Sequence, residues 1–366
     1  MSVGRVVFHD PYLEVLGGGE KYLLTILERV AAAGRHEVVL LSPRRPQPER
    51  WRRLGVAVDG RLRWRAVGRL APTPLSAGAD LFVTVANHFP PLSLAARSVV
   101  ILQFPHARLR GRGPLEALRC VERALRLRSY DAVVCYSRFV AAAIRERLGI
   151  ASPVVIPPPV DVPSAPPAVR RARLVIAVGR FFAAADANNK KHGVLIDAWR
   201  RLGADGWRLA LVGGLHEDRR SLAHLDALRQ RARGLSVEFH PNADPATLAR
   251  LYGEATLFWH AAGYGEAEPE RHEHFGITTV EAMAHGCVPV VVGLGGQLEI
   301  VSDGVDGRLW QTVDELVDVT RELIADPVQR RHLSLAAHRS AQRFAKRKFL
   351  ENIDELILGP AGIDVR

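Results

Sequence analysis

The sequence contains no run of about 18 or more apolar residues, the length a helix needs to cross a bilayer, so no membrane-spanning helix is expected. Its first residues, "MSVGRVVFHDPY", lack the apolar core and cleavage site of a secretory signal, which points to the cytoplasm. Cysteine is scarce. Cys120, Cys135 and Cys287 are far apart and each stands among apolar neighbours, which excludes a disulfide or zinc framework and predicts reduced core thiols. Lysine is nearly missing from a cationic chain: of 50 Lys and Arg, only Lys21, Lys190, Lys191, Lys346 and Lys348 are lysines, and 39 Asp and Glu leave a net charge of +11. Such a charge suits nucleic acid, an anionic membrane or a phosphorylated substrate. No helix-turn-helix, zinc finger or aromatic-basic ribonucleoprotein motif accompanies it, and the arginines are dispersed, so nucleic acid is not an expected partner.

What is present is an alternation of short β-branched runs with helical patterns, the signature of parallel sheets with crossover helices. In the first half "RVVFH", "EVVLLS", "LFVTVA", "SVVILQ", "AVVCYS" and "PVVIPP" read as strands; in the second, "RLVIAVGRF", "WRLALVGG", "SVEFHP", "ATLFWHA", "VPVVVGL" and "GRLW". The first helix is marked by Tyr22, Leu23, Ile26, Leu27 and Val30 at helical spacing, with Gly34 as its stop. Prolines 157, 158, 159, 163, 166 and 167 continue neither a ladder nor a helix, so Ile156 to Val169 reads as a linker. With 366 residues, 48% hydrophobic and 24% charged, the chain is long enough for two cores. The expected architecture is α/β: two Rossmann-like doubly wound domains, 1–160 and 161–340, facing across a cleft, and a closing helix in 341–366 with Phe349, Ile353, Leu356 and Ile357 on one face.

Ligands of doubly wound sheets sit at the carboxyl ends of the strands. In "EHFGITTVEAMAHG" a helix starts near Gly276 to Thr279, and its free N–H groups suit phosphate oxygens. Glu273 before it and Glu281 in its first turn flank that anion site, where carboxylates accept hydrogen bonds from sugar or ribose hydroxyls, or merely favour the helix dipole. In "VGRFFAAADANNKKHG" Arg180 follows a strand and Lys190 and Lys191 precede a helix; cations converging there suit a diphosphate that gains charge as it leaves. Gly17, Gly18 and Gly19 open the first helix toward a ligand without forming G-x-G-x-x-G or a P-loop, and "VGLGGQLE" is similarly loose. His9 and Asp10 end the first strand as core or loop polar groups. "ERHEH", with Glu270, His272, Glu273 and His274, lacks the spacing of a metal site, so neither metal nor cofactor is expected.

The order G-G-G-E, S-R-F, P-P-P-V-D, G-R…K-K and E-H-F-G-I-x-x-V-E-A-M-A-x-G-x-x-P-V-V over nearly the whole chain resembles the retaining glycosyltransferase family 4, which has the two-Rossmann B fold. "GRFF…NNKKH", "WHAAGYGE" and "EHFGI" look most like the GDP-mannose-dependent transferases that build lipid-linked oligosaccharides. The resemblance implies transfer of a hexose, mannose favoured, from a nucleoside-diphosphate sugar, GDP favoured over UDP, to a saccharide or lipid-linked acceptor. It implies that Arg180 and Lys190, preferred to Lys191, clamp the diphosphate. Glu273 with the N–H groups of Phe275 and Gly276 would hold the donor sugar, those of Ile277 and Thr278 would meet phosphate, and Glu281 the ribose. Gly18 and Gly19 would close on the diphosphate, and a cleft histidine is implied in "ILQFPHARL", where Gln103 and His106 both remain candidates. No carboxylate nucleophile for double displacement is evident, so front-face substitution is expected. A sugar-nucleotide epimerase of the same architecture and a basic nucleic-acid binder are the rival readings. Finally, residues 106–130 mix Arg108, Arg110, Arg112, Arg119, Arg123, Arg126 and Arg128 with Leu109, Leu115, Leu118, Val121, Leu125 and Leu127. This segment reads either as an amphipathic helix with core-facing leucines or as a peripheral contact with anionic membrane.

Overall fold

The computed structural model describes residues 4–358 except 14–16, 46, 53, 59–61, 69–71, 87–89, 104–112, 166–170 and 183–188. The chain forms two compact units, Met1–Pro159 with Lys346–Arg366, and Val160–Ala345. The short helical turn Gln342–Phe344 therefore belongs to the second unit, and the segment that returns to the first begins at Lys346 rather than at 341.

The first unit is built on β1 (Gly4–His9), β2 (His36–Ser42), β3 (Arg63–Ala66), β4 (Leu81–Ala86), β5 (Arg97–Leu102), β6 (Ala132–Cys135) and β7 (Val154–Val155). They form one parallel sheet in the order β3-β2-β1-β4-β5-β6-β7. The inner strands are buried on both faces, which is why they read as unbroken apolar runs. β3 escaped the sequence reading because "RWRA" lies on the sheet edge, mostly exposed, and its alternation of arginine with Trp64 and Ala66 spans only four residues. Helix Gly18–Ala32 buries Tyr22, Leu23, Ile26, Leu27 and Val30. Tyr22 Oη donates to the Ile156 carbonyl at 3.0 Å, and its ring meets Tyr136 and Phe349 at centroid distances of 4.7 and 4.8 Å. Phe349, Ile353 and Ile357 of helix Lys346–Leu358 are buried in this same unit, where Arg29 pairs with Asp354 at 2.6 Å and Lys346 with Glu28 at 2.8 Å.

At the end of β1 both His9 and Asp10 are buried. His9 Nδ1 meets Thr84 Oγ1 at 2.8 Å, and burial pushes its pKa down to about 4. Asp10 Oδ1 accepts the Tyr12 N–H, whereas Oδ2 has no hydrogen-bond partner among the described residues. Burial raises the Asp10 pKa to about 6 despite that N–H. Between the ordinary aspartate pKa and that value the folded protein binds the extra proton, so stability falls as pH rises through this window and is level above it. Asp10→Asn removes the titration. Its stability advantage over wild type is expected to grow from pH 4 to 6 and then plateau, at on the order of 3 kcal/mol for a gap of about two pH units, as read by urea unfolding across pH. An advantage independent of pH would refute the buried-proton account.

One expectation is corrected here and one open alternative is narrowed. Cys135 and Cys287 are buried, but Cys120 is exposed, as is every residue of 117–122 in the first half of helix Pro114–Arg128. On that helix Leu127 and Arg123 turn inward, while Leu118, Val121 and Leu125 are exposed, so these apolar side chains do not face the core. Arg108, Leu109, Arg110 and Arg112 lie outside the described residues.

The second unit carries β8 (Leu174–Val178), β9 (Arg208–Gly213), β10 (Val237–Pro241), β11 (Leu257–His260), β12 (Val288–Val292) and β13 (Arg308–Trp310). They form a parallel sheet in the order β10-β9-β8-β11-β12-β13. Trp199, Trp259 and Trp310 fill its core with Phe181 and aliphatic side chains, and the Trp259 indole N–H donates to Thr320 Oγ1 at 3.1 Å. No helix among the described residues is long and apolar enough to cross a membrane.

Candidate functional site

In the second sheet the strand order reverses between β8 and β11, and the crevice at the carboxyl ends of such neighbours is where ligands of open α/β sheets bind. β8 runs out at Val178 into Gly179 and Arg180; β11 ends on His260, which is 4% exposed. Onto this point converge two residues distant in sequence. Lys190 Nζ donates to Glu273 Oε2 at 2.6 Å, and His260 Nε2 lies 3.1 Å from the same oxygen. Burial drives the His260 pKa down against the pull of Glu273, so its ring is neutral. Gln297 Nε2, 3.3 Å from Nδ1, then supplies the donor on one side of the ring and Nε2–H points at the carboxylate on the other. Burial alone would raise the Glu273 pKa, but the Lys190 charge and the His260 hydrogen bond hold it well below the usual carboxylate range. The carboxylate is thus ionised and fixed in place.

Just beyond it, helix Ile277–Ala284 begins at Gly276, whose φ of 115° is open to glycine and strained for other residues. A Cβ there would lie 2.6 Å from Gln297 Nε2. No side chain caps this helix, so the first N–H groups, including those of Ile277 and Thr278, have no partner within it, a geometry that suits an anion. Glu281, one turn in, accepts a hydrogen bond from the buried Tyr252 Oη at 3.1 Å, and Tyr252 stacks on His285 at 5.3 Å. The "VGLGG" loop is explained by packing: Gly296 N–H donates to the Glu273 carbonyl at 2.8 Å, and a Cβ at Gly295 would stand 2.4 Å from that carbonyl oxygen.

The two adjacent lysines part company. A Cβ on Gly179 would lie 2.6 Å from Lys190 Cγ, so the missing side chain there is what lets the Lys190 stem cross the end of β8. Lys191, with φ 57° at the N-cap of helix His192–Leu202, pairs instead with Glu266 at 2.5 Å. Arg180 is half-buried, its guanidinium 4.6 Å over the Phe182 ring. Phe275 is buried before Gly276. Glu270, His272, Glu273 and His274 do not assemble; among the described residues no group of three or more His, Cys, Asp or Glu side chains is arranged to hold a metal.

In the first unit, helix Gly18–Ala32 starts after Gly17 without a side-chain cap. A Cβ on Gly19 would lie 2.4 Å from Gln103 Nε2, so the buried Gln103 at the end of β5 sits against the start of this helix. His106 lies outside the described residues. Sequence reasoning missed His260 and Gln297. The available signal was a lone histidine closing the apolar strand "TLFWH" at the point of strand-order reversal, visible only once the order is known.

Two family matches divide the chain as the two sheets do: the family described as Glycosyltransferase Family 4 over residues 16–163, and Glycosyl transferases group 1 over residues 172–326. A GDP-Man:Man(3)GlcNAc(2)-PP-Dol alpha-1,2-mannosyltransferase of Dictyostelium discoideum is 30% identical over 147 residues, 39% of this chain and 27% of that protein. Mannosylfructose-phosphate synthase of Agrobacterium fabrum is 32% identical over 139 residues, 36% of this chain and 28% of that protein. The alignments therefore span under a third of the length of these curated relatives. Among solved structures, sucrose-phosphate synthase from Thermosynechococcus elongatus matches with a TM-score of 0.70 at 18% identity, covering 96% of this chain and 98% of that one. WaaG, a glycosyltransferase involved in lipopolysaccharide biosynthesis, gives 0.66 at 17% identity, covering 97% and 100%. At those identities the structural likeness speaks for the fold, and the two family matches speak for descent: the chain belongs to the glycosyltransferases of family 4 and group 1, with the two-Rossmann B fold.

Proposed function

We propose that the protein transfers a hexose, with retention of anomeric configuration, from a nucleoside-diphosphate sugar to a hydroxyl of a saccharide or lipid-linked acceptor. The observation that carries this reading is the convergence of Lys190, Glu273 and His260 at the β8–β11 reversal, beside an uncapped helix start. The N–H groups of Ile277 and Thr278 receive phosphate oxygens, those of Phe275 and Gly276 together with Glu273 hold the sugar, and Glu281 accepts the ribose hydroxyls. Lys190 and Arg180 stabilise the charge that grows on the leaving diphosphate, so their contribution is larger in the transition state than in the ground state. His260 acts through Glu273 as a positioning residue. The acceptor hydroxyl attacks from the face the diphosphate leaves, and a diphosphate oxygen takes its proton. Fixed cations and helix N–H groups supply this stabilisation without a metal.

GDP-mannose is the favoured donor. Two relatives matched over part of the chain are named for mannosyl chemistry, one with GDP-Man in its name. UDP-hexose is the second reading, favoured by the likeness to Anabaena HepE, whose structure was solved with UDP-glucose and matches with a TM-score of 0.69 at 20% identity. Slow donor hydrolysis across a panel of GDP- and UDP-hexoses tests both. The expected result is GDP release from GDP-mannose that persists in EDTA; UDP release from a UDP-hexose with GDP-mannose inert would overturn the donor assignment, and loss of turnover in EDTA the metal-free one.

A further inference from the structure

Helix Pro114–Arg128 stands with its apolar stripe outward. Leu118 is 67% exposed, Val121 55% and Leu125 55%, whereas Leu127 is 7% exposed. At about 100° per residue the first three fall within roughly 60° of one another, nearly opposite Leu127. Leu92, 37% exposed, and Leu94, 53%, lie on a segment tied to the last turn of the helix: Tyr130 Oη donates to the Pro91 carbonyl at 2.5 Å, the Ser93 N–H to Ser129 Oγ at 3.0 Å, and Arg126 to the Pro90 carbonyl at 3.2 Å. Five of the ten exposed large apolar side chains among the described residues thus belong to this helix and the segment hydrogen-bonded to its last turn, a concentration that marks an interaction surface rather than scattered exposure.

The charges that rim the stripe identify the partner. Arg119 and Arg128 are exposed on its two flanks and make no ion pair among the described residues, while Glu122 is neutralised by Arg126 at 2.7 Å. Apolar side chains framed by free guanidinium groups suit a surface of acyl chains beneath anionic headgroups, with arginine stems lying along the apolar layer and their charged ends in the headgroups. A second copy of the chain docked symmetrically on this face would bring like charges together instead.

We propose that this face is a peripheral docking surface for an anionic bilayer. The surface stands on its own geometry; only its corollary, that the acceptor sugar is lipid-borne, rests on the glycosyl-transfer reading. The test is co-sedimentation of the full chain with vesicles of phosphatidylglycerol and phosphatidylcholine, and of phosphatidylcholine alone, at about 50 and 200 mM salt, concentrations that change screening appreciably. Wild type is compared with Leu118→Ser/Val121→Ser/Leu125→Ser and with Arg119→Gln/Arg128→Gln, all exposed positions whose folding is checked by thermal melts. Wild type is expected to bind the anionic vesicles, more weakly at the higher salt, and each multiple variant to lose at least tenfold in partitioning. Donor hydrolysis in solution should be unchanged by either variant, which separates failure of the surface from failure of the transfer reading. Absent binding, or binding indifferent to both variants, overturns the proposal. So does a wild-type dimer in light scattering that the triple variant dissolves, which would give this face to a second copy of the chain.

Discussion

Lys190→Ala is expected to lower turnover by about two to three orders of magnitude, the loss typical of removing one fixed donor from a developing anion. The same change has a second consequence that the geometry makes separable. Glu273 Oε2, 2.6 Å from Lys190 Nζ and with its side chain only 16% exposed, would be left with His260 as partner. Breaking such a pair on one side costs about 3 to 5 kcal/mol in stability. With its cation gone the Glu273 carboxyl is held down less, so the stability it contributes when ionised, which in wild type is lost only as pH falls well below the ordinary glutamate pKa, would be lost earlier on acidification. Lys190→Ala/Glu273→Gln should recover most of the melting temperature and none of the turnover. Lys191→Ala, which removes an ion pair with Glu266 whose carboxylate is 21% exposed, should cost little of either. Turnover lost in Lys191→Ala and kept in Lys190→Ala would reverse the roles of the two lysines.

Glu281→Ala is expected to weaken binding of the nucleoside diphosphate by about 1 to 3 kcal/mol, roughly five- to 150-fold, because ribose hydroxyls lose a charged acceptor. The ribose is bound alike in ground and transition states, so turnover at saturating donor should fall far less. Tyr252→Phe is the control: it removes the hydroxyl that donates to Glu281 at 3.1 Å and keeps the carboxylate, so its effect should be a fraction of that of Glu281→Ala. Calorimetric titration with GDP and UDP decides the matter, and unchanged affinity in Glu281→Ala would remove Glu281 from the ribose site.

Most strands were legible because parallel strands covered on both faces must be written as continuous apolar runs, as in "LFVTVA" and "VPVVV". β3 was not, since an edge strand held by backbone pairing to β2 needs no apolar code and can be "RWRA". The helix start at Gly276 was legible from glycine and flanking glutamates. The partner of the second glycine loop was not, because Gly295 and Gly296 lie against a backbone distant in sequence, that of Glu273 and His274. The direction of the leucines of helix Pro114–Arg128 stayed open for a plainer reason: helical periodicity shows that apolar residues share a stripe and cannot show which way the stripe turns.

By itself the sequence determined the strand and helix segments, the break near 156–169 and the residue types at strand ends, all of them local consequences of hydrophobic period, proline and glycine. Strand order, which selects β8 and β11 as the neighbours around the crevice, was settled by the tertiary structure. So was the meeting of Lys190 with Glu273, 83 residues away, and the recruitment of His260 and Gln297 to hold that carboxylate ionised. Such pairings depend on which strand ends lie side by side and on the direction each side chain takes from its loop. Adjacent lysines that are chemically identical in the sequence thereby reach different carboxylates.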